Sequence, residues 1–190
     1  MSKYIESGHK RNDQDFYPTL QAKDMVRDLV RTAGVSIPPV AWEPHAGEGH
    51  LVDALKNMNI PVYASDIEPR AKGVVEMDFL AQDRLPSDQI RSIVMNPPFS
   101  SLDAQLGHAL KLMQPVTGTV LMLARTLLSS GKKRQSIFRN HQHFAAKIEM
   151  VGRPFWFADY RNSPIHPYSW YLWDFSTEHP IPAIKWIDPL

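Results

Sequence analysis

Asn96-Pro97-Pro98-Phe99 ends the β-forming run Ile93-Val94-Met95, and these four residue types in this order can do chemistry. Two prolines remove two backbone donors and fix two φ angles, and Pro97 bars Asn96 from the helical region. The result is a rigid corner rich in acceptors: the Asn96 side-chain carbonyl and the Pro97 backbone carbonyl. An exocyclic amine on adenine is a poor nucleophile because its lone pair is delocalised into the ring. Two fixed acceptors facing its N–H bonds would localise that lone pair and aim it. No titrating base is required, since the amine becomes acidic once alkylated. Phe99 offers a face for stacking an extruded base. The same residues also fit a plain strand-ending turn with Phe99 in the core.

The second constellation is Glu43-Pro44-His45-Ala46-Gly47-Glu48-Gly49, which follows the short apolar run Val40-Ala41-Trp42. Gly47 and Gly49 allow a tight turn that a ligand can approach closely. The spacing resembles the dinucleotide fingerprint but lacks its full glycine run. Glu43 would repel a pyrophosphate and welcome an ammonium group. That points away from NAD and ATP, toward a cofactor with a cationic amino-acid end. Asp66, at the end of the next apolar run, can accept both hydroxyls of a ribose. Asp78 beside Phe79 suits an adenine amino group and ring face. Both aspartates also fit as helix caps.

These motifs need elements to hold them. Met25, Val26, Leu29 and Val30 predict a helix ending near Gly34. Strands are expected at 40–42, 62–65, 74–77, 90–95, 120–124, 147–151 and 168–175, with helices opening at Leu51 and over 104–113. Residues 130–143 are expected to be basic and helical. Strands alternating with helices predict an α/β domain: a doubly wound, Rossmann-like, seven-stranded and mainly parallel sheet, with the last two strands as an antiparallel edge hairpin. Ligands sit at the carboxyl ends of such strands, and all four polar motifs fall there.

The 190 residues are 43% hydrophobic and carry a net charge of +1, so a nucleic-acid partner would need a local basic patch. There are no cysteines, which excludes disulfides, thiolate metal sites and cysteine nucleophiles. The polar start is not a signal peptide, and no apolar run is long enough to span a membrane. A cytoplasmic protein is expected, with residues 1–15 as a flexible arm and 16–190 as a single domain.

The order FYPT, EPHAGEG, SDI, DFL and NPPF resembles the S-adenosylmethionine-dependent amino-group DNA methyltransferases. It is most similar to the small adenine-N6 methyltransferase-like proteins common in bacteriophages and prophages. The tail agrees, with LMLARTLLSSGKKRQSIF, KIEMVGRPFWF and SWYLWDF. The resemblance implies a class I methyltransferase fold with S-adenosylmethionine as cofactor. It implies that Tyr17, Pro18 and Thr19 line the methionine end, and that Glu43, Pro44, Ala46, Gly47 and Gly49 form the first cofactor loop. It further places Asp66 and Ile67 at the ribose and adenine, Asp78 and Phe79 at the adenine edge, and Asn96, Pro97, Pro98 and Phe99 at the transfer step. His45 and Ala46 stand where relatives often carry small residues or cysteine.

No stretch has room for a separate target-recognition domain. Lys132, Lys133, Arg134 and Arg139 are the candidate phosphate contacts. A second loop interleaves Arg153, Phe155, Trp156, Phe157, Tyr160 and Arg161, which suits stacking of bases. His141 and His143 have no carboxylate-rich partner, so no metal is expected. The expected substrate is adenine in DNA, with loose sequence preference. RNA adenine, a protein glutamine amide, or a cofactor-binding module working through a partner are the alternatives.

Overall fold

The computed structural model describes residues 18–152 and 166–188. Among the described residues its frame is one mixed sheet of eight strands. In chain order these are β1 (Ala41–Glu43), β2 (Val62–Asp66), β3 (Val75–Glu76), β4 (Ser92–Met95), β5 (Thr119–Arg125), β6 (Phe144–Met150), β7 (Tyr168–Asp174) and β8 (Ala183–Ile187). Three α-helices accompany them: α1 (Ala22–Arg31), α2 (His50–Asn57) and α3 (Leu102–Met113). The spatial order is β3-β2-β1-β4-β5-β7-β6-β8. The first five strands of that order are parallel, and β7 runs antiparallel between β5 and β6.

Alternation along the strands builds two cores. Val94, Leu121, Leu123 and Trp170 face α1 and α2, where Met25, Leu29 and Leu55 are fully buried. Ile93, Val120, Met122 and Trp173 face the opposite way, toward Leu106 and Met113 of α3. A sheet covered on both faces needs apolar residues on both sides of its strands, which Ile93–Met95 of β4 and Val120–Ala124 of β5 supply. This is the expected doubly wound class.

Two sequence expectations are revised. The sheet has eight strands rather than seven, because residues 183–187 add β8 parallel to β6. The antiparallel pair β6–β7 exists, but β8 lies outside it and is the edge. Between its flanking prolines this segment alternates: Ile184 and Trp186 point outward, whereas Ile187 joins the core beside α1. The proline-rich tail hid that pattern. The stretch 130–143 is not an α-helix. Lys132–Arg134 make one 3-10 turn, and further turns follow. Phe138 must reach the aromatic cluster of Phe144, Tyr171 and Trp173. Trp173 Nε1 also donates to the Ile137 carbonyl at 2.9 Å, drawing off an acceptor that a helix would use. No described helix is long and apolar enough to cross a membrane.

Candidate active site

β1, β2 and β4 end side by side because they are parallel neighbours in register, with Glu43 opposite Ala64 and Trp42 opposite Ile93. Their polar ends therefore meet in one cleft. It gathers Pro18 and Thr19 from the segment before α1, the loop from Glu43 to Gly47, Asp66 with Ile67, and Asn96 with Pro98. Beneath it, Trp42 Nε1 donates to Ser65 Oγ at 2.8 Å and ties the first two strands together in the dry interior.

The glycine loop has the conformation its sequence demands. Gly47 and Gly49 have φ of 48° and 86°, and Gly49 caps α2 from the left-handed region. Asp66 fastens this loop: its Oδ2 accepts from Gly47 N at 2.7 Å and its Oδ1 from Glu68 N at 2.8 Å. Each carboxylate oxygen keeps a second lone pair for a hydroxyl. No helix follows Asp66, so its bonds fasten loops rather than cap a helix, and the residue also lines the cleft.

Glu43 is 1% exposed. Its Oε1 accepts from His45 N at 2.9 Å, while its Oε2 is buried and has no hydrogen-bond partner among the described residues. Burial, with Asp66 nearby, raises its pKa well above the usual carboxylate value. A buried acid with one unsatisfied oxygen is a receptor for a cation, since a positive nitrogen beside it would satisfy the oxygen and ionise the group. Two carboxylates in one cleft also disfavour phosphate.

Asn96 Nδ2 donates to Thr19 Oγ1 at 3.0 Å. The amide nitrogen is thereby fixed, and the carbonyl is the other end of the same rigid group. Pro97 is buried, and Pro98 precedes a 3-10 turn over Phe99–Ser101. Phe99 is half-buried, 6.0 Å from the Tyr168 ring, with the Arg125 guanidinium 5.7 Å over its own ring.

Asp78 and Phe79 stand apart. Asp78 is exposed and caps a turn by accepting from Leu80 N at 2.9 Å. Phe79 is core, edge-on to Trp42 at 5.0 Å and to His45 at 5.4 Å, so it supports the cleft from below. β3 is two residues long, and Met77 N after it still donates to the Asp66 carbonyl at 2.9 Å. Pro44 and Gly49 are buried behind the loop. Tyr17 and the aromatic loop residues Arg153, Phe155, Trp156, Phe157, Tyr160 and Arg161 lie outside the described residues.

Sequence reasoning missed a part-buried relay. His45 Nε2 faces Gln105 Oε1 at 3.0 Å, and Gln105 Nε2 donates to Ser101 Oγ at 3.1 Å. With the Gln105 oxygen as acceptor, His45 carries its proton on Nε2. Burial lowers the His45 pKa to about 4, so the ring is neutral at physiological pH. The relay joins the glycine loop to the turn that follows Phe99. A histidine beside a glycine turn was the only hint.

Of the basic residues, Arg134 makes a two-point bridge to Asp103 at 2.7 and 3.0 Å, at the start of α3. Lys132, Lys133 and Arg139 are exposed. No group of three or more residues suited to a metal occurs among the described residues. His143 Nδ1 instead bonds the Thr177 carbonyl at 2.8 Å.

No protein-family model matches the chain. No curated protein sequence matches it either. Solved structures do. A methyltransferase subunit of a type I restriction-modification system from Streptococcus thermophilus superposes with a TM-score of 0.60 at 14% identity over 91% of this chain. The chain spans 46% of that subunit. A protein from Listeria monocytogenes assigned as a class I S-adenosylmethionine-dependent methyltransferase gives 0.60 at 10% identity, over 95% of this chain and 68% of its own. One from Pyrococcus horikoshii assigned as an RNA methyltransferase gives 0.61 at 13% identity, over 90% and 92%. At these identities the likeness is one of fold: the chain has the Rossmann-like fold of the class I methyltransferases.

Proposed function

We propose that this chain transfers a methyl group from S-adenosylmethionine to the N6 amino group of adenine in DNA, with loose sequence preference, in the cytoplasm of a bacterial or phage-infected cell. One observation carries the reading: Asn96, with Pro98 beside it, lines the same cleft as Glu43 and Asp66. An ammonium receptor, a ribose acceptor and an amine acceptor thus lie along one sheet edge.

The residues fit the cofactor. Glu43 offers its unsatisfied oxygen to the α-ammonium group, and Asp66 offers lone pairs to the ribose hydroxyls. S-adenosylmethionine supplies an electrophilic methyl group on a sulfonium. The chain supplies aim: Thr19 holds the Asn96 amide, and the prolines hold the second acceptor. Phe99 gives the base a surface. Of the pair placed at the adenine edge by resemblance, Phe79 packs against His45 from outside the cleft lining and Asp78 caps the turn beside it.

The DNA choice draws on the restriction-modification subunit among the fold neighbours, and the RNA methyltransferase among them supports adenine in RNA as the second reading. A test offers labelled methyl donor with plasmid DNA, tRNA, rRNA and protein separately, with Asn96→Ala as control. Methyladenine in DNA with wild type, lost with Asn96→Ala, supports the proposal. Label confined to RNA or protein overturns the DNA reading. Full turnover by Asn96→Ala overturns the mechanism.

A further inference from the structure

Arg125 ends β5 beside the acceptor corner, inside the LMLAR stretch, to which no role was assigned from sequence. Its backbone is fixed, because Tyr171 Oη donates to the carbonyls of Arg125 and Thr126 at 2.9 Å each. Its guanidinium is exposed and lies over the Phe99 ring. No ion pair holds that guanidinium among the described residues. Glu149, on β6, is already engaged by Lys147 Nζ at 2.7 Å and by Ser169 Oγ at 2.6 Å. An arginine over the Phe99 ring, without a carboxylate partner among the described residues, is suited to an incoming anion.

The neighbouring basic turn is arranged to the same end. The Arg134–Asp103 bridge docks it against the first turn of α3, four residues beyond Phe99. Arg134 is thereby spent. Lys132 and Lys133 remain exposed with no ion-pair partner among the described residues. Arg134 is thus a strut that presents two lysines, which changes the role expected of it from sequence.

Resting on the adenine-transfer reading, we propose that Arg125 binds the phosphodiester of the nucleotide whose base enters the Asn96 corner, with Lys132 and Lys133 on the adjoining backbone. A base stacking on Phe99 displaces the guanidinium from the ring face. The released group keeps its charge-assisted hydrogen bonds for that nucleotide's own phosphate. Binding of the base and of its backbone are then one exchange at one aromatic ring. A neutral glutamine amide acceptor has nothing to offer this arginine.

The test measures the dissociation constant of the full chain for a fluorescent single-stranded oligodeoxynucleotide, and for the RNA of the same sequence, against salt. Each phosphate contact contributes roughly 0.7 to the logarithmic salt slope on a single strand. Arg125→Gln should flatten the slope by about that amount. It should also raise the KM for nucleic acid roughly tenfold, as expected when one charge-assisted hydrogen bond is removed. Cofactor affinity should not move, and Arg125→Lys should recover the slope. Equal responses on both polymers identify the shared phosphate as the ligand, and a response on one names the polymer. If the wild type methylates nucleic acid and Arg125→Gln keeps the same slope and KM, this inference falls alone. If the wild type binds neither polymer and labels only protein, the inference falls together with the adenine reading.

Discussion

The Asn96 amide is held by the Thr19 hydroxyl at 3.0 Å, so the residue that aims the acceptor corner lies in the segment leading into the first helix. A side-chain amide that rotates presents donor and acceptor alternately; one pinned at its nitrogen presents only its oxygen to a ligand N–H. Thr19→Ala should therefore lower kcat about fivefold to tenfold, the effect of losing one hydrogen bond of about 1 kcal/mol. Thr19→Ser should restore it. Single-turnover transfer at saturating cofactor separates this from any change in affinity.

Glu43 has its pKa raised by burial, so in the unliganded protein it adds stability below the ordinary carboxylate range and loses that contribution as pH rises. Glu43→Gln should accordingly raise the melting temperature of the unliganded protein at pH 7 to 8. The difference should vanish well below pH 4.5, the usual value for this group. The same variant should weaken cofactor binding by at least tenfold, because a buried carboxylate facing a cation is lost. Calorimetry of binding in two buffers of different ionisation enthalpy should show proton release with the wild type and less with the variant.

His45 has the opposite sign. Its pKa falls from 6.5 to about 4 on folding, so the unfolded chain binds the proton first as the solution is acidified. Its contribution is present above pH 6.5 and is lost as pH drops toward 4, by at most roughly 3 kcal/mol for a shift of this size. His45→Gln, which keeps a donor toward Gln105, should flatten the acid limb of a stability–pH curve. The pH–rate profile should show no inflection near 6.5 from this residue.

Gly118 joins α3 to β5 where no side chain fits. A Cβ there would meet the Arg91 carbonyl at 2.7 Å and the Met113 methyl as well. The carbonyl cannot move, since it accepts from Thr119 N at the start of β5. Gly118→Ala should cost about 1–3 kcal/mol, typical of forced overpacking, read as a lower denaturant midpoint. Cofactor affinity of the folded fraction should be unchanged.

The parallel half of the sheet and the convergence of its polar ends were legible in the chain, because each strand there is a short apolar run broken by a motif. Asn96, Glu43 and Asp66 could be placed together by that logic alone. Three things were not legible. Asp78 and Phe79 carry a suggestive pairing, yet local capping takes the aspartate and the core beneath Trp42 takes the ring. Arg134 looks like a phosphate contact until Asp103, thirty-one positions away, claims it. Gln105 reads as an ordinary polar helix residue, and only the packing of α3 against the glycine loop reveals its bond to His45. Long-range polar pairing leaves no period in a sequence.

The position of the last strand has a consequence for the order in which the chain can fold. β6 lies between β7 and β8, both of which follow it in the sequence. Lys185 Nζ, from β8, reaches back to the Ala33 carbonyl at 2.6 Å, just past the end of α1, and Ile187 fills the core beneath that helix. The first helix therefore completes its seat only once β8 has been synthesised, and contacts of such high sequence separation form late and slowly. Thr19, at the other end of that helix, inherits the delay. The acceptor corner can form locally at mid-chain, but it is aimed only once the final strand has docked.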